Sequence, residues 1–406
     1  MNKKILSWCL FDFAGSSYSA IIAAVIFPVY YTNVIVGNAS GQGDIWWGRA
    51  ISLSMALVAL SSPFLGGVAD YAKIRKKLLF VYTFVCVVSV SFLYFMERGM
   101  AMEGFLLVVL ANVGKEGGLV FYNSFLPEIA GPERQGRVSS WGFATGYAGS
   151  IACLLLAIVL IDKGLLAYVW PMSALFFALF SVPAFLFLTP DATSRLRIAG
   201  AAGEGLRNTI AVLKKIWASR EQRKLLIAYF IYADGVNTVI VFSSIFAATT
   251  LHFSSRELIL VFLTVQFTAL AGAFLLAKPT DVWGPKKVVV LSLYLWIVIS
   301  VAAFFVTSKI FFFIIASAAG LGLGTVQSAT RAFYAQYIPE GQESEYFGVY
   351  ALMGKTSAIA GPLIFGYVSS TLGSQRPAVL SVGAFFIVGL ILVRKIKGGG
   401  PNVSTV

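Results

Sequence analysis

The sequence predicts an all-α membrane protein with twelve transmembrane helices in two pseudo-symmetric six-helix bundles. Three observations predict it. Of 406 residues, 58% are hydrophobic and only 12% are charged, about half the charged share of an ordinary soluble domain. Several apolar runs reach the roughly 20 residues that a helix needs to cross a bilayer. Motifs in the first half of the chain recur in the second at an offset of about half the chain length. A segment surrounded by lipid must satisfy its own backbone hydrogen bonds, so the runs are read as helices. The short alternating segments of a transmembrane barrel are missing from the pattern.

The expected spans are 6–36, 46–69, 78–96, 103–128, 138–161, 166–188, 223–250, 257–278, 288–306, 309–337, 345–370 and 376–394. The weakest break is between the ninth and tenth, where only Thr307, Ser308 and Lys309 interrupt the run. Met1-Asn-Lys-Lys leads into an apolar run too long for a signal peptide, and Asp12 lies inside that run, so it reads as a retained first helix. The organisation expected is an N-terminal bundle over 1–188, a cytoplasmic linker over 189–222, a C-terminal bundle over 223–396 and a cytoplasmic tail over 397–406. In the linker, Leu206, Ile210, Leu213 and Trp217 recur at helical spacing, with Lys214 and Lys215 off that face. That pattern fits a helix lying at the membrane interface, and a solvated linker helix fits nearly as well.

Basic residues orient the chain, because Lys and Arg concentrate in cytoplasmic loops. With the N-terminus inside, 22 of the 31 fall on the cytoplasmic side and 6 on the other, and Lys115, Arg331 and Lys355 lie within helices. Both termini are therefore expected in the cytoplasm. The formal charge of +13 is spread over short loops beside apolar runs, which argues against a nucleic-acid partner. Cys9, Cys86 and Cys153 all sit in apolar runs, and with the single histidine, His252, they make no metal cluster. No metal, cofactor or catalytic residue is expected. An acyltransferase pattern would place an aspartate five residues after a histidine, and His252 has Glu257 there.

The repeat is legible at three places. Gly67-Val-Ala-Asp70 through Arg75-Lys76-Lys77 is echoed by Lys278-Pro-Thr-Asp281 through Lys286-Lys287, with the aspartates 211 positions apart. Pro132-Glu133 is echoed by Pro339-Glu340, 207 apart. The first and seventh helices each carry a buried aspartate followed by glycine and hydroxyl or amide residues, Asp12-Phe-Ala-Gly-Ser-Ser and Asp234-Gly-Val-Asn-Thr. Duplicated halves fit a transporter whose site lies between them near the midplane.

The loop after the second helix resembles the signature of the major facilitator superfamily, carried by Gly66, Asp70, Arg75 and Lys76. It departs from the signature at Tyr71 and at Lys73, where the pattern favours a basic residue and a glycine. Longer stretches resemble the "unknown major facilitator" family, which includes vacuolar amino-acid effluxers of autophagy. They are Ser7 to Tyr18, Gly117 to Pro127, Tyr232-Ala-Asp234-Gly, and Gln327 to Arg331 continuing through Phe347 to Tyr350 and Gly354-Lys355 to Gly361-Pro362. The resemblance implies the major facilitator fold and transport. Lys115 has no clear counterpart in it.

A charge at mid-bilayer costs about 2.5–3.5 kcal/mol on insertion scales, so buried ionisable groups usually face a cavity or each other. Asp12, Lys115, Glu116, Asp234, Arg331 and Lys355 are such groups, three acids and three bases. With Tyr122, Asn123 and Gln327 as uncharged lining groups, they are the candidates for substrate and ion binding. Inter-helix ion pairs that only specify packing are the competing reading. Gly66, Asp70, Arg75, Asp281 and Lys286 are the candidates for conformational gating, with Arg75 and Lys286 as the nearest bases to the two aspartates.

Together these point to a monomeric secondary transporter, a symporter or antiporter of the bacterial inner membrane. Its expected substrate is a small polar or zwitterionic solute, such as an amino acid or a peptide-like molecule, with protons as the expected coupling ion. A lipid or siderophore-like solute, or a non-transporting receptor or scaffold, are the alternatives. The topology is checked by labelling: a cysteine placed at position 200 or 400 should resist an impermeant maleimide added to intact cells. Labelling of either would overturn the orientation.

Overall fold

A computed structural model describes residues 2–37, 42–191, 207, 210–253, 255–357, 364–365, 368, 372 and 375–397. Leu206, the motif residues Gly361 and Pro362, and the end of the tail lie outside the described residues. Twelve helices of 14 residues or more are found among the described residues, close to the expected spans except that the expected end of the eleventh, at 370, lies outside the described residues. They are α1, Lys3–Val36 with internal π-helical turns; α2, Gln42–Ala72; α3, Arg75–Phe92; α4, Ala101–Ser124; α5, Gln135–Asp162; and α6, Val169–Phe187. The second half holds α7, Arg220–Thr250; α8, Ser255–Leu275; α9, Pro285–Phe305; α10, Lys309–Ala335; α11, Glu343–Thr356; and α12, Gln375–Arg394. Nine spans among the described residues are long and apolar enough to cross a membrane.

The uncertain break between the ninth and tenth spans is real. Val306 turns extended, and the Ser308 side chain accepts the Ile310 N–H to start α10. Serine is a favoured cap because its oxygen satisfies one of the four N–H groups left open at a helix start.

The chain forms two compact units. The first is Met1–Ile129, Thr145–Ile210 and Glu340–Leu352, and the second is Ala130–Ala144, Ala211–Pro339 and Met353–Val406. So α11 begins in the first unit and α5 begins in the second.

Within the first unit, aromatic rings lock α4 onto α1. Tyr122 stacks on Trp8 with centroids 4.6 Å apart and on Phe11 at 5.2 Å. The Trp8 Nε1–H donates to the Tyr122 carbonyl at 2.9 Å. In the second unit Trp296 of α9 stacks on Phe386 of α12 at 5.2 Å, inside a buried cluster that includes Tyr232, Val289 and Leu293. Small residues let helix backbones approach where lipid supplies no hydrophobic drive between them. The Gly320-Leu-Gly-Leu-Gly324 run does this: a side chain at Gly320 or Gly324 would strike the backbone of α8 at Val265 or Ala269, and one at Gly322 would meet Trp296.

The two halves turn alike at the ends of their signature segments. Gly284, three residues after Asp281, has φ +83°, and Lys73, three residues after Asp70, has φ +54°. The second turn uses the residue that adopts this conformation freely. The first holds an exposed lysine in the left-handed region, which costs an L-residue about 1–2 kcal/mol. Lys73→Gly should therefore raise stability by about 1 kcal/mol, read from thermal or denaturant unfolding in detergent. An unchanged or lowered stability would show that the turn carries no strain.

Candidate functional site

The first four N–H groups of a helix have no partner within it, and the positive end of its dipole favours a nearby anion. Two aspartates serve two helices in this way. Asp70, near the end of α2, accepts the backbone N–H of Glu345 at 2.9 Å. Asp281, in the short helix Ala277–Val282, accepts the backbone N–H of Arg137 at 2.8 Å. Glu345 is the third residue of α11 and Arg137 the third of α5. The internal repeat thus produces the same contact twice. Glycines make the approach possible: a Cβ on Gly66 would collide with the Ser344 carbonyl, and one on Gly136 would sit 2.7 Å from the Asp281 Oδ1.

The charges around the two contacts differ. Arg137 Nε lies 3.1 Å from Asp281 Oδ2, so one residue supplies both the N–H and the counter-charge. Burial pushes the Asp281 carboxyl above the ordinary carboxylate range, and the Arg137 N–H and guanidinium pull it back. Around Asp70 the cation is Arg75, 3.8 Å away, which also reaches Glu343 at 3.4 Å and Glu128 at 3.6 Å. Asp70, Glu343 and Glu345 are all buried. Arg75 is thus the neighbour of Asp70 that proximity in sequence suggests. Lys286 is not the corresponding neighbour of Asp281. Its ammonium donates to the carbonyls of Arg394, the last residue of α12, and of Ile396 just past it, and the base beside Asp281 comes from α5.

The ionisable groups within the helices divide between the units. In the first, Asp12 is half-buried and its carboxyl faces Gly146, 3.4 Å from where a Cβ there would lie. Lys115 is 6% exposed. Its Nζ runs over Gly15 of α1, where a Cβ would sit 3.3 Å from it and 2.9 Å from Cε. Glu116 is half-buried on the next position, within electrostatic reach of Tyr18 and Cys86. A polar chain crosses three helices here: the Tyr18 hydroxyl donates to Asn112 Oδ1 at 3.2 Å, and Asn112 Nδ2 donates to Ser54 Oγ at 2.7 Å. Tyr122 is fully buried and stacked on Trp8 and Phe11, whereas Asn123 is half-buried.

In the second unit Asp234 is 1% exposed and Arg331 is 3% exposed. Arg331 donates to the Ser139 hydroxyl at 2.8 Å and to the Ser139 carbonyl at 2.6 Å, and its guanidinium lies over the Phe143 ring at 4.1 Å. Gln327 and Lys355 are half-buried. Sequence reasoning did not single out Ser139, Glu128, Glu343, Glu345, Asn112 or Tyr18. Asn112 had a signal, since an amide one turn before Lys115 in an apolar helix is itself unusual. Ser139 had none, being 192 positions from Arg331.

The profile of the family described as "Vacuole effluxer Atg22 like" matches residues 49–397. The chain belongs to this Atg22-like family. An uncharacterised transporter of the major facilitator type, YxiO of Bacillus subtilis, is 27% identical over 97% of this chain and 94% of its own length. Autophagy-related protein 22-1 of Penicillium rubens is 22% identical over 84% of this chain and 73% of its own. Among solved structures, the human organic anion transporter MFSD10 superposes with a TM-score of 0.74 at 17% identity, covering 96% of this chain and 98% of that one. The proton:xylose symporter XylE superposes at 0.71 and 13% identity, covering 98% and 96%. The fold is that of the major facilitator superfamily, and this Atg22-like protein is an integral membrane transporter rather than an enzyme.

The capping contacts carry a measurable load. Asp281→Ala removes the acceptor for the α5 N–H and the partner of Arg137, and should cost about 1–2 kcal/mol in stability. Lys287→Gln, at an exposed neighbouring position, should stay within about 0.5 kcal/mol. Thermal unfolding of both variants checks this, and equal stability of the two would contradict it.

Proposed function

We propose that this Atg22-like protein is a secondary active transporter of a small polar or zwitterionic solute, an amino acid or peptide-like molecule, working by alternating access and driven by protons. It works in a bacterial cytoplasmic membrane with both termini inside. The observation that carries the reading is the set of ionisable groups of both signs deep in α1, α4, α7, α10 and α11. Placing charge there is costly, and a packing role alone would be met as well by apolar residues. A zwitterion needs one group of each sign, and the set supplies both.

In this reading Glu116 or Asp234 takes up the proton, because a desolvated carboxylate can titrate near neutral pH. Arg331 or Lys355 holds the anionic end of the solute. Asp12, Lys115, Tyr122, Asn123 and Gln327 are the further candidates for contact with the solute. Gly66, Asp70, Arg75, Asp281 and Lys286 govern the conformational cycle: the two aspartates release and recapture the starts of α11 and α5 as access alternates.

The test is uptake of a panel of amino acids and short peptides by proteoliposomes, with and without an inward proton gradient. The gradient should drive accumulation of at least one of them. Neutralising the coupling acid by Glu116→Gln or Asp234→Asn should abolish accumulation and leave solute exchange intact. If both variants accumulate as well as the parent, the charges are structural ion pairs and the coupling role is wrong.

A further inference from the structure

We infer that residues 210–218, just before α7, form a lipid-binding helix that lies along the bilayer surface and takes anionic phospholipid headgroups. The segment is helical throughout, and it has two distinct apolar lines. Val212 and Ile216 are 1% and 0% exposed, so one line is docked on the protein. Ile210 and Trp217, two turns apart on another line, are 47% and 50% exposed, with Leu213 half-buried between the two lines. Lys214 is exposed on the shoulder beside this ridge, and Lys215 is exposed on the far side of the helix. An apolar ridge with a lysine at its edge and another on the opposite, water-facing side is the arrangement of a helix that rests in the headgroup layer, and tryptophan favours that layer because its ring is apolar with one polar edge.

The joint to α7 fixes where this helix can be. Only Ser219, in extended conformation with φ −72° and ψ 110°, separates it from Arg220, the first residue of α7. The Arg223 guanidinium donates to the Trp217 carbonyl at 2.7 Å, which caps the end of the helix and clamps the elbow. The 31 residues of α7 make about 46 Å of helix, against a hydrocarbon core of about 30 Å. Its first turns therefore stand among headgroups, and a one-residue joint holds the preceding helix at that level.

The charge selects the lipid. Residues 204–221 contain four bases, Arg207, Lys214, Lys215 and Arg220, and two acids, Glu204 and Glu221, one at each end. Glu221 is engaged by the Lys224 ammonium at 2.9 Å and by the backbone N–H of Lys397. A neighbouring surface of anionic phospholipid matches both the bases and the exposed ridge, whereas a free phosphate would leave Ile210 and Trp217 in water. The inference rests on the fold and on this segment, and is independent of the solute transported.

The three native cysteines are buried, so an environment-sensitive NBD label can be directed to Trp217→Cys. Lys215→Cys serves as the comparison, and Ile210→Cys stands in should the first variant fold poorly. The full chain is placed in nanodiscs of phosphatidylcholine alone or with phosphatidylglycerol. At 217 or 210, lipids carrying a doxyl group high on the acyl chain should quench strongly and aqueous iodide weakly, with the reverse at 215. Phosphatidylglycerol should raise the lipid quenching at 217 by about two-fold, and Lys214→Gln or high salt should remove that gain. Equal iodide access at 217, 210 and 215 in both lipids would place the helix in water and overturn the inference. Lipid quenching that ignores phosphatidylglycerol and Lys214→Gln would overturn its anionic-lipid part.

Discussion

A helix start leaves N–H groups that something must accept, and in this protein two of those starts are served by carboxylates from elsewhere in the chain. Asp70 takes the Glu345 N–H and Asp281 takes the Arg137 N–H. Much else is arranged around these two contacts. Gly66 and Gly136 are glycines because any side chain there would strike the partner segment. The turns at Lys73 and Gly284 adopt positive φ to end the signature segments. The start of α11 packs in the first compact unit with Asp70, and the start of α5 in the second with Asp281. In the proposed cycle these contacts break and re-form, and hydrogen bonds to charged acceptors of about 1.5–3 kcal/mol each are strong enough to hold a state and weak enough to leave it.

The two contacts are equal in geometry and unequal in charge. Asp281 has a dedicated arginine 3.1 Å away. Arg75 is shared by Asp70, Glu128 and Glu343 at 3.4–3.8 Å. The residue three places into each helix explains the difference, since it is basic in α5 and acidic in α11. The two halves share the backbone hydrogen bond and differ in the side chains around it. A deletion of charge at one contact is therefore not equivalent to a deletion at the other.

The fold was legible because its determinants are local. A run of apolar residues is a property of consecutive positions, and the helix limits follow it within a few residues, down to the Ser308 cap that separates α9 from α10. The glycine run in α10 was readable as a packing surface for the same reason. The signature aspartates were readable through their repeat, 211 positions apart. Their partners were not: Glu345 is 275 positions from Asp70 and Arg137 is 144 from Asp281, and neither looks unusual in its own neighbourhood. Lys286 shows the limit of sequence proximity, since the helix-end carbonyls of α12 outcompete a carboxylate five residues away. Among the buried charges, position in an apolar run marked Lys115, Asp234 and Arg331 as costly, but not that Lys115 would run over Gly15 or that Arg331 would be held by Ser139 and Phe143.

The capping of α11 by Asp70 is the contact whose release the account ties to transport, and hydrogen exchange of the amides at 343–346 observes it directly. In the resting protein these amides should be protected, and Asp70→Asn should speed their exchange by about ten-fold, the equivalent of roughly 1.4 kcal/mol. During turnover driven by solute and a proton gradient, exchange in the unaltered protein should rise toward that of the variant. Exchange at 343–346 that is the same in the resting protein, in Asp70→Asn and during turnover would show that this carboxylate neither holds the start of α11 nor releases it.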